Sequence, residues 1–160
     1  MDPFFQIVAD RLDDDGLGDV ASGIVILIIS SSLLNLEWNI HNVIIFILLT
    51  VSGLLILTSL TMIPACVAFW TTKSRSLIWT VFHFSKFSEF PLEVYALPIV
   101  FMISVILPFA FVNYYPAQIF LGKGMYIEFA WLTPIVGVLS FTVAYSFWKL
   151  GLKHYTSTGS

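Results

Sequence analysis

Val43–Trp70 reads VIIFILLTVSGLLILTSLTMIPACVAFW, with no Asp, Glu, Lys or Arg in it. A helix needs about 20 predominantly apolar residues to cross a bilayer, so this stretch is more than long enough. It lies within a wider charge-free run, Trp38–Thr72, and three further runs carry no charge: Val20–Leu36, Val94–Gly122 and Phe129–Trp148. A soluble domain rarely leaves such gaps, because its elements need a polar face. With 58% of residues hydrophobic and only 11% charged, the chain reads as an all-α integral membrane protein. About four transmembrane helices are expected, near 20–36, 43–70, 94–112 and 127–148.

Outward from the central span, Gly53 and Pro64 lie inside it, and Pro64 is expected to kink or break the helix because it cannot donate its hydrogen bond. On the N-terminal side Glu37–Asn42 forms a polar turn, with Trp38 suited to the membrane interface. The first span precedes it, with Ser30, Ser31 and Ser32 available for helix packing and Asp19 as the expected N-cap. Residues 1–19 form an aqueous segment rich in Asp, not a signal peptide, which would open on a basic region and a short apolar run. Within it Phe4, Phe5, Val8 and Leu12 share one stripe of a short amphipathic helix, broken at Asp13–Gly16.

On the C-terminal side, Ser76, Thr80, His83, Lys86, Glu89 and Glu93 recur at steps of three or four. That spacing predicts a helix near 77–90 lying in the membrane interface or under the bundle. The third span contains Pro98 and Pro108 as kink candidates. After Asn113-Tyr114-Tyr115-Pro116 comes a short apolar dip closed by Gly122–Gly124, expected as a re-entrant segment near 114–124, whose backbone must be shielded from lipid. Ser140 and Ala144 give the last span a small-residue face.

In a four-span arrangement both termini and the middle connection share one side. Arg11, Lys73, Arg75, Lys86, Lys149 and Lys153 fall there, and only Lys123 falls opposite. The positive-inside rule then places both termini in the cytoplasm.

Enzyme signatures are missing from the sequence. Gly122–Gly124 lacks the remaining residues of a phosphate loop, and Asp13–Gly16 fails as a calcium loop. His41, His83 and His154 have no partners at metal or catalytic spacing. The lone Cys66 excludes an intrachain disulfide and is expected as a packing residue. A net charge of -3 gives no reason to expect nucleic-acid binding. No Asp, Glu, Lys or Arg lies deep in any predicted span, which disfavours an ion-coupled carrier. Neither catalysis nor a bound cofactor is expected of this chain, and any energy source is expected on a partner.

The run Leu107-Pro108-Phe109-Ala110-Phe111-Val112-Asn113-Tyr114-Tyr115-Pro116-Ala117, with Phe90–Tyr95 before it and Phe120–Lys123 after it, resembles a bacterial family of ABC transporter permeases. These are of the type-two exporter class, near the drug and antibiotic export permeases. Asp2–Gln6, Asp15–Asp19, Ala68–Trp70 and Gly151–Tyr155 are similar to the same family. The resemblance implies a multi-pass permease in the bacterial inner membrane. A separate ABC ATPase would hold the ATP, and a second permease subunit, identical or different, would complete the path. It also implies that residues 1–19 are the cytoplasmic coupling segment that docks the ATPase, with Phe4, Phe5, Asp10 and Arg11 as contact candidates. Asn113, Tyr114, Tyr115 and Pro116 would shape the extracellular end; for the two tyrosines, a gate and an interfacial aromatic belt are both open. Such permeases usually have six spans, so the chain is expected to be the C-terminal portion of one: either a separately encoded N-terminal half covers the Ser30–Ser32 and Ser140–Ala144 faces, or the chain is a truncated gene product. The alternative reading is a membrane scaffold or assembly factor that transports nothing.

Overall fold

The computed structural model describes residues 14–67, 74–122, 124 and 126–154. The coupling segment with Phe4, Phe5, Asp10 and Arg11 lies outside them. Two units divide the chain, Met1–Trp38 and Asn39–Ser160; among the described residues all regular structure is helical.

The first unit holds helix α1, Asp14–Leu33. It runs through Gly16, Gly18 and Asp19, where the sequence suggested a break and an N-cap. Asp19 is instead interior, its carbonyl accepting the Ser22 hydroxyl at 2.9 Å. An interior glycine costs only about 1 kcal/mol in a helix, too little to stop it ahead of a long apolar run. The helix ends in a Schellman motif: Asn35 takes φ +49°, its N–H bonds the Ser32 carbonyl, and the Leu36 N–H bonds the Ser31 carbonyl. Ser31 bonds back to Ile28 at 3.0 Å.

The second unit is built on α2, Ile40–Cys66, capped by Asn39, whose side chain accepts the Asn42 N–H. Ile45, Leu49, Ser52, Gly53, Ile56, Ser59 and Leu60 form its buried line, while Ile44, Ile47, Leu48, Val51, Leu54 and Leu57 stay exposed. A helix apolar all round with half its surface uncovered is built for a lipid environment. Pro64 is buried in its final turn, so this proline sits where the helix ends. Then come α3, Ser74–Ser85; two short 3₁₀ turns, Lys86–Glu89 and Leu92–Val94; α4, Leu97–Phe101; α5, Tyr114–Leu121; α6, Ile127–Ala130; and α7, Thr133–His154.

α7 packs along α2. A Cβ on Gly137 would lie 2.9 Å from the Ser52 carbonyl oxygen, and one on Gly53 would lie 3.2 Å from the Val112 carbonyl oxygen. Two glycines thus let three backbone segments meet, the close approach that small residues permit between membrane helices. Ala144 is fully buried within the protein, so the Ser140–Ala144 face is not left wholly open.

The span expected at Val94–Val112 does not form as one helix. α4 continues into a π-helical turn, Met102–Ile106, then bends by 71° into the stretch Phe109–Leu121. Pro98 stands in the first turn of α4 and starts the helix, while Pro108 occupies the bend itself. Tyr114 donates a hydrogen bond to Glu93. A straight helix over Val94–Val112 would hold these two residues roughly 30 Å apart, so the chain is sharply bent between them. The count of four spans is therefore not reproduced. Among the described residues, only Ile40–Cys66 is long and apolar enough to cross alone, or up to two spans if the bent pair Leu97–Ile106 and Phe109–Leu121 is one; Gly18–Leu33 is a shorter apolar helix. α7 starts at Thr133, after a break that separates it from α6, and it carries Lys149 and Lys153.

Candidate functional site

The elbow at 107–113 interrupts the helix but keeps several backbone hydrogen bonds. Leu107 N–H bonds the Met102 carbonyl at 2.8 Å, Phe111 N–H bonds Pro108 at 3.2 Å and Val112 N–H bonds Phe109 at 2.9 Å. Pro108 has no N–H to satisfy. Phe109, Ala110 and Phe111 are all buried. Irregular backbone at membrane depth is tolerated where protein shields it, and here protein does. Single π turns inside helices often mark functional positions.

Asn113 ends the elbow and caps α5, its side chain accepting the Tyr114 N–H at 2.7 Å. The left-handed Gly122, φ +60°, closes the helix. Tyr115 is 4% exposed and sits at the centre of an aromatic cluster. Its ring lies 4.7 Å from Phe111, 5.5 Å from Tyr114, 5.7 Å from Phe129 and 6.2 Å from Tyr126. Its hydroxyl lies 2.9 Å from Ser104 Oγ in the π turn, a bond between the two arms of the bend. A buried, hydrogen-bonded tyrosine is not part of a lipid-facing belt, so for Tyr115 that reading is withdrawn. Tyr114 is half-buried and reaches Glu93 Oε1 at 2.5 Å. Pro116 is buried in the first half of α5.

From the elbow the chain runs back along α2: the Val112 carbonyl lies against Gly53, and the Phe120 ring meets Phe46 edge-on at 6.0 Å. Gln118 is buried beneath the following turn, where a Cβ on Gly124 would lie 2.5 Å from its amide; Gly124 has φ +134°. Among the described residues the Gln118 Oε1 atom has no hydrogen-bond partner.

The structure brings Asn113, Tyr114, Tyr115 and Pro116 together with Pro108. Pro64 and Pro98 belong to the ends of other helices. Sequence reasoning missed Glu93, Ser104 and Gln118. Glu93 was expected on the polar face of the interfacial helix, but α3 ends at Ser85 and Pro91 places Glu93 in a separate turn. Ser104, a lone hydroxyl in an apolar run, was a visible signal; its partner was not. Among the described residues, no group of three His, Cys, Asp or Glu could hold a metal ion.

Among the described residues one helix, Ile40–Cys66, is long and apolar enough to cross a bilayer, which fits a helical membrane protein. A family model described as ABC-2 family transporter protein matches residues 1–159, and the chain belongs to that family. It is thus a membrane permease component of an ABC transporter, and membership implies association with an ABC ATPase. No curated protein and no solved structure matches the chain.

Proposed function

We propose that this chain is the membrane-spanning permease subunit of an ATP-driven exporter, with ATP bound and hydrolysed on a separate ABC ATPase. The family match over residues 1–159 is the observation that supports this reading. Residues 1–19 form the cytoplasmic coupling segment, with Phe4 and Phe5 seated in a groove of the ATPase and Asp10 and Arg11 beside them. ATP-driven closure of the ATPase pair moves the helices as rigid bodies and opens a path between two permease subunits. Asn113, Tyr114, Tyr115 and Pro116 form the extracellular gate, and the elbow is its hinge. The bent pair Leu97–Ile106 and Phe109–Leu121 makes the return crossing between α2 and α7. Both termini then lie in the cytoplasm, as the distribution of basic residues favours.

Co-expression with an ABC ATPase and purification through a tag on this chain test the proposal. Stable co-purification is expected. It is expected to be lost when Phe4 and Phe5 are both changed to Asp, with membrane insertion intact. Co-purification that is unchanged by the double substitution would remove the docking role. No association at all would leave the scaffold reading.

A further inference from the structure

Sequence places Glu93 on an interfacial helix; the bend carries it much deeper. The Val112 carbonyl lies against Gly53, the middle residue of α2 (Ile40–Cys66). A helix of that length measures about 40 Å and crosses a hydrocarbon core of about 30 Å, so its midpoint falls near the midplane. Two residues carry the chain at most about 7 Å, which keeps Tyr114 within the core. Its hydroxyl donates to Glu93, so that carboxylate lies at membrane depth too. Leu92 is buried beside it, and the Tyr95 ring packs on Phe87 at 5.7 Å, so the turn that carries Glu93 is anchored on both sides.

Glu93 is exposed on this chain, and among the described residues no cation pairs with it. A carboxylate at this depth does not face lipid; it faces a bundle interior or a water-filled cavity, and such residues mark substrate pathways. Its neighbours narrow the chemistry. Tyr114 spends its one donor on Glu93. Gln118, one turn further along the same face of α5, interacts with the Tyr114 hydroxyl through its amide. Gln118 is 5% exposed, and its Oε1 has no partner among the described residues. What this line leaves uncommitted is acceptors: the second Glu93 oxygen and Gln118 Oε1. A site of acceptors with one negative charge matches a cationic group that donates hydrogen bonds.

We infer that Glu93, positioned by Tyr114 and Gln118, faces the transport path and selects substrates that carry a protonated amine. This rests on the permease reading above.

The test uses the full chain in phosphatidylcholine vesicles at neutral pH, with 4-fluorobenzylammonium as probe and 4-fluorobenzyl alcohol and 4-fluorobenzoate as controls, binding being read by fluorine NMR. The ammonium is expected to bind more tightly than either control. Glu93→Gln is expected to weaken it at least tenfold, to the level of the alcohol, and Glu93→Asp, which keeps the charge, to preserve the preference. Equal binding of the ammonium to the unsubstituted chain and Glu93→Gln, or no preference over the alcohol, would overturn the inference. A water-soluble carbodiimide gives a second reading on the unsubstituted chain: it is expected to join 4-fluorobenzylamine to Glu93 as an amide. A crosslink from Glu93 to a lysine of another subunit in its place would show a structural ion pair and overturn the inference as well. Both readings are made without the ATPase. Failure of ATPase co-purification therefore counts against the exporter reading alone, and failure of ammonium binding by a chain that does co-purify counts against this inference alone.

Discussion

Ser104 and Tyr115 lie on opposite arms of a 71° bend and share a hydrogen bond at 2.9 Å. That bond fixes the elbow from both sides. Between membrane helices such bonds contribute about 0.6 kcal/mol on average and rarely more than about 2. Ser104→Ala and Tyr115→Phe are each expected to lower stability by about 1 kcal/mol. The double variant should lose less than the sum, because each change removes the same bond. Denaturation in mixed micelles measures the three values. Full additivity would show that the two hydroxyls do not act together.

The crossing of α2 and α7 rests on Gly137. An alanine there sets its Cβ 2.9 Å from the Ser52 carbonyl oxygen, which is backbone and cannot swing aside. Overpacking of this kind typically costs about 1–3 kcal/mol. Gly53→Ala, at 3.2 Å from Val112, is expected to cost less. Thermal unfolding in detergent should rank the two variants in that order.

Tyr114→Phe and Glu93→Gln probe the contact across the bend. Tyr114→Phe removes the donor outright and is expected to speed amide hydrogen exchange around residues 93–95 and 113–116, with α2 unaffected. Glu93→Gln keeps an acceptor and should show a smaller change. Equal and unaltered exchange in both would mean the contact holds nothing in place.

Topology separates the two ways to read the bent pair. If it crosses the membrane, Ser160 shares a side with Met1, and a cysteine introduced at Ser160 is labelled only after the cytoplasmic face is exposed. If it dips and returns on the same side, that cysteine is labelled from outside intact cells. The first result is expected. Cys66 is buried, and its replacement by Ser removes background labelling.

The helical membrane class was legible in the charge-free runs, because a bilayer leaves little choice but apolar helices. The helix near 77–90 was legible in part: its spacing gave α3, but Pro91 set Glu93 apart. The third span was not legible. Apolarity alone cannot separate a straight crossing from a bent one, and neither Pro98 nor Pro108 states its role in sequence; one starts a helix and the other turns the chain. The Asn113–Pro116 cluster stood out as a polar, aromatic break. Its partners Glu93 and Ser104 did not, because both contacts bridge residues distant in sequence and depend on the bend itself. The tight approach at Gly137 was equally hidden: a glycine in an apolar helix gives no sign of what it faces.

The claim that the elbow is the hinge of an ATP-driven gate is tested most directly by a distance across it. Spin labels at Leu97→Cys and Leu121→Cys, both exposed positions flanking the bend, in a Cys66→Ser background, report it by double electron–electron resonance. The measurement is made in vesicles on the chain complexed with its ABC ATPase, without nucleotide and with ATP held unhydrolysed. The account predicts that the distance distribution shifts when ATP binds and returns after hydrolysis. An identical distribution in both states, from a complex that hydrolyses ATP normally, would contradict it.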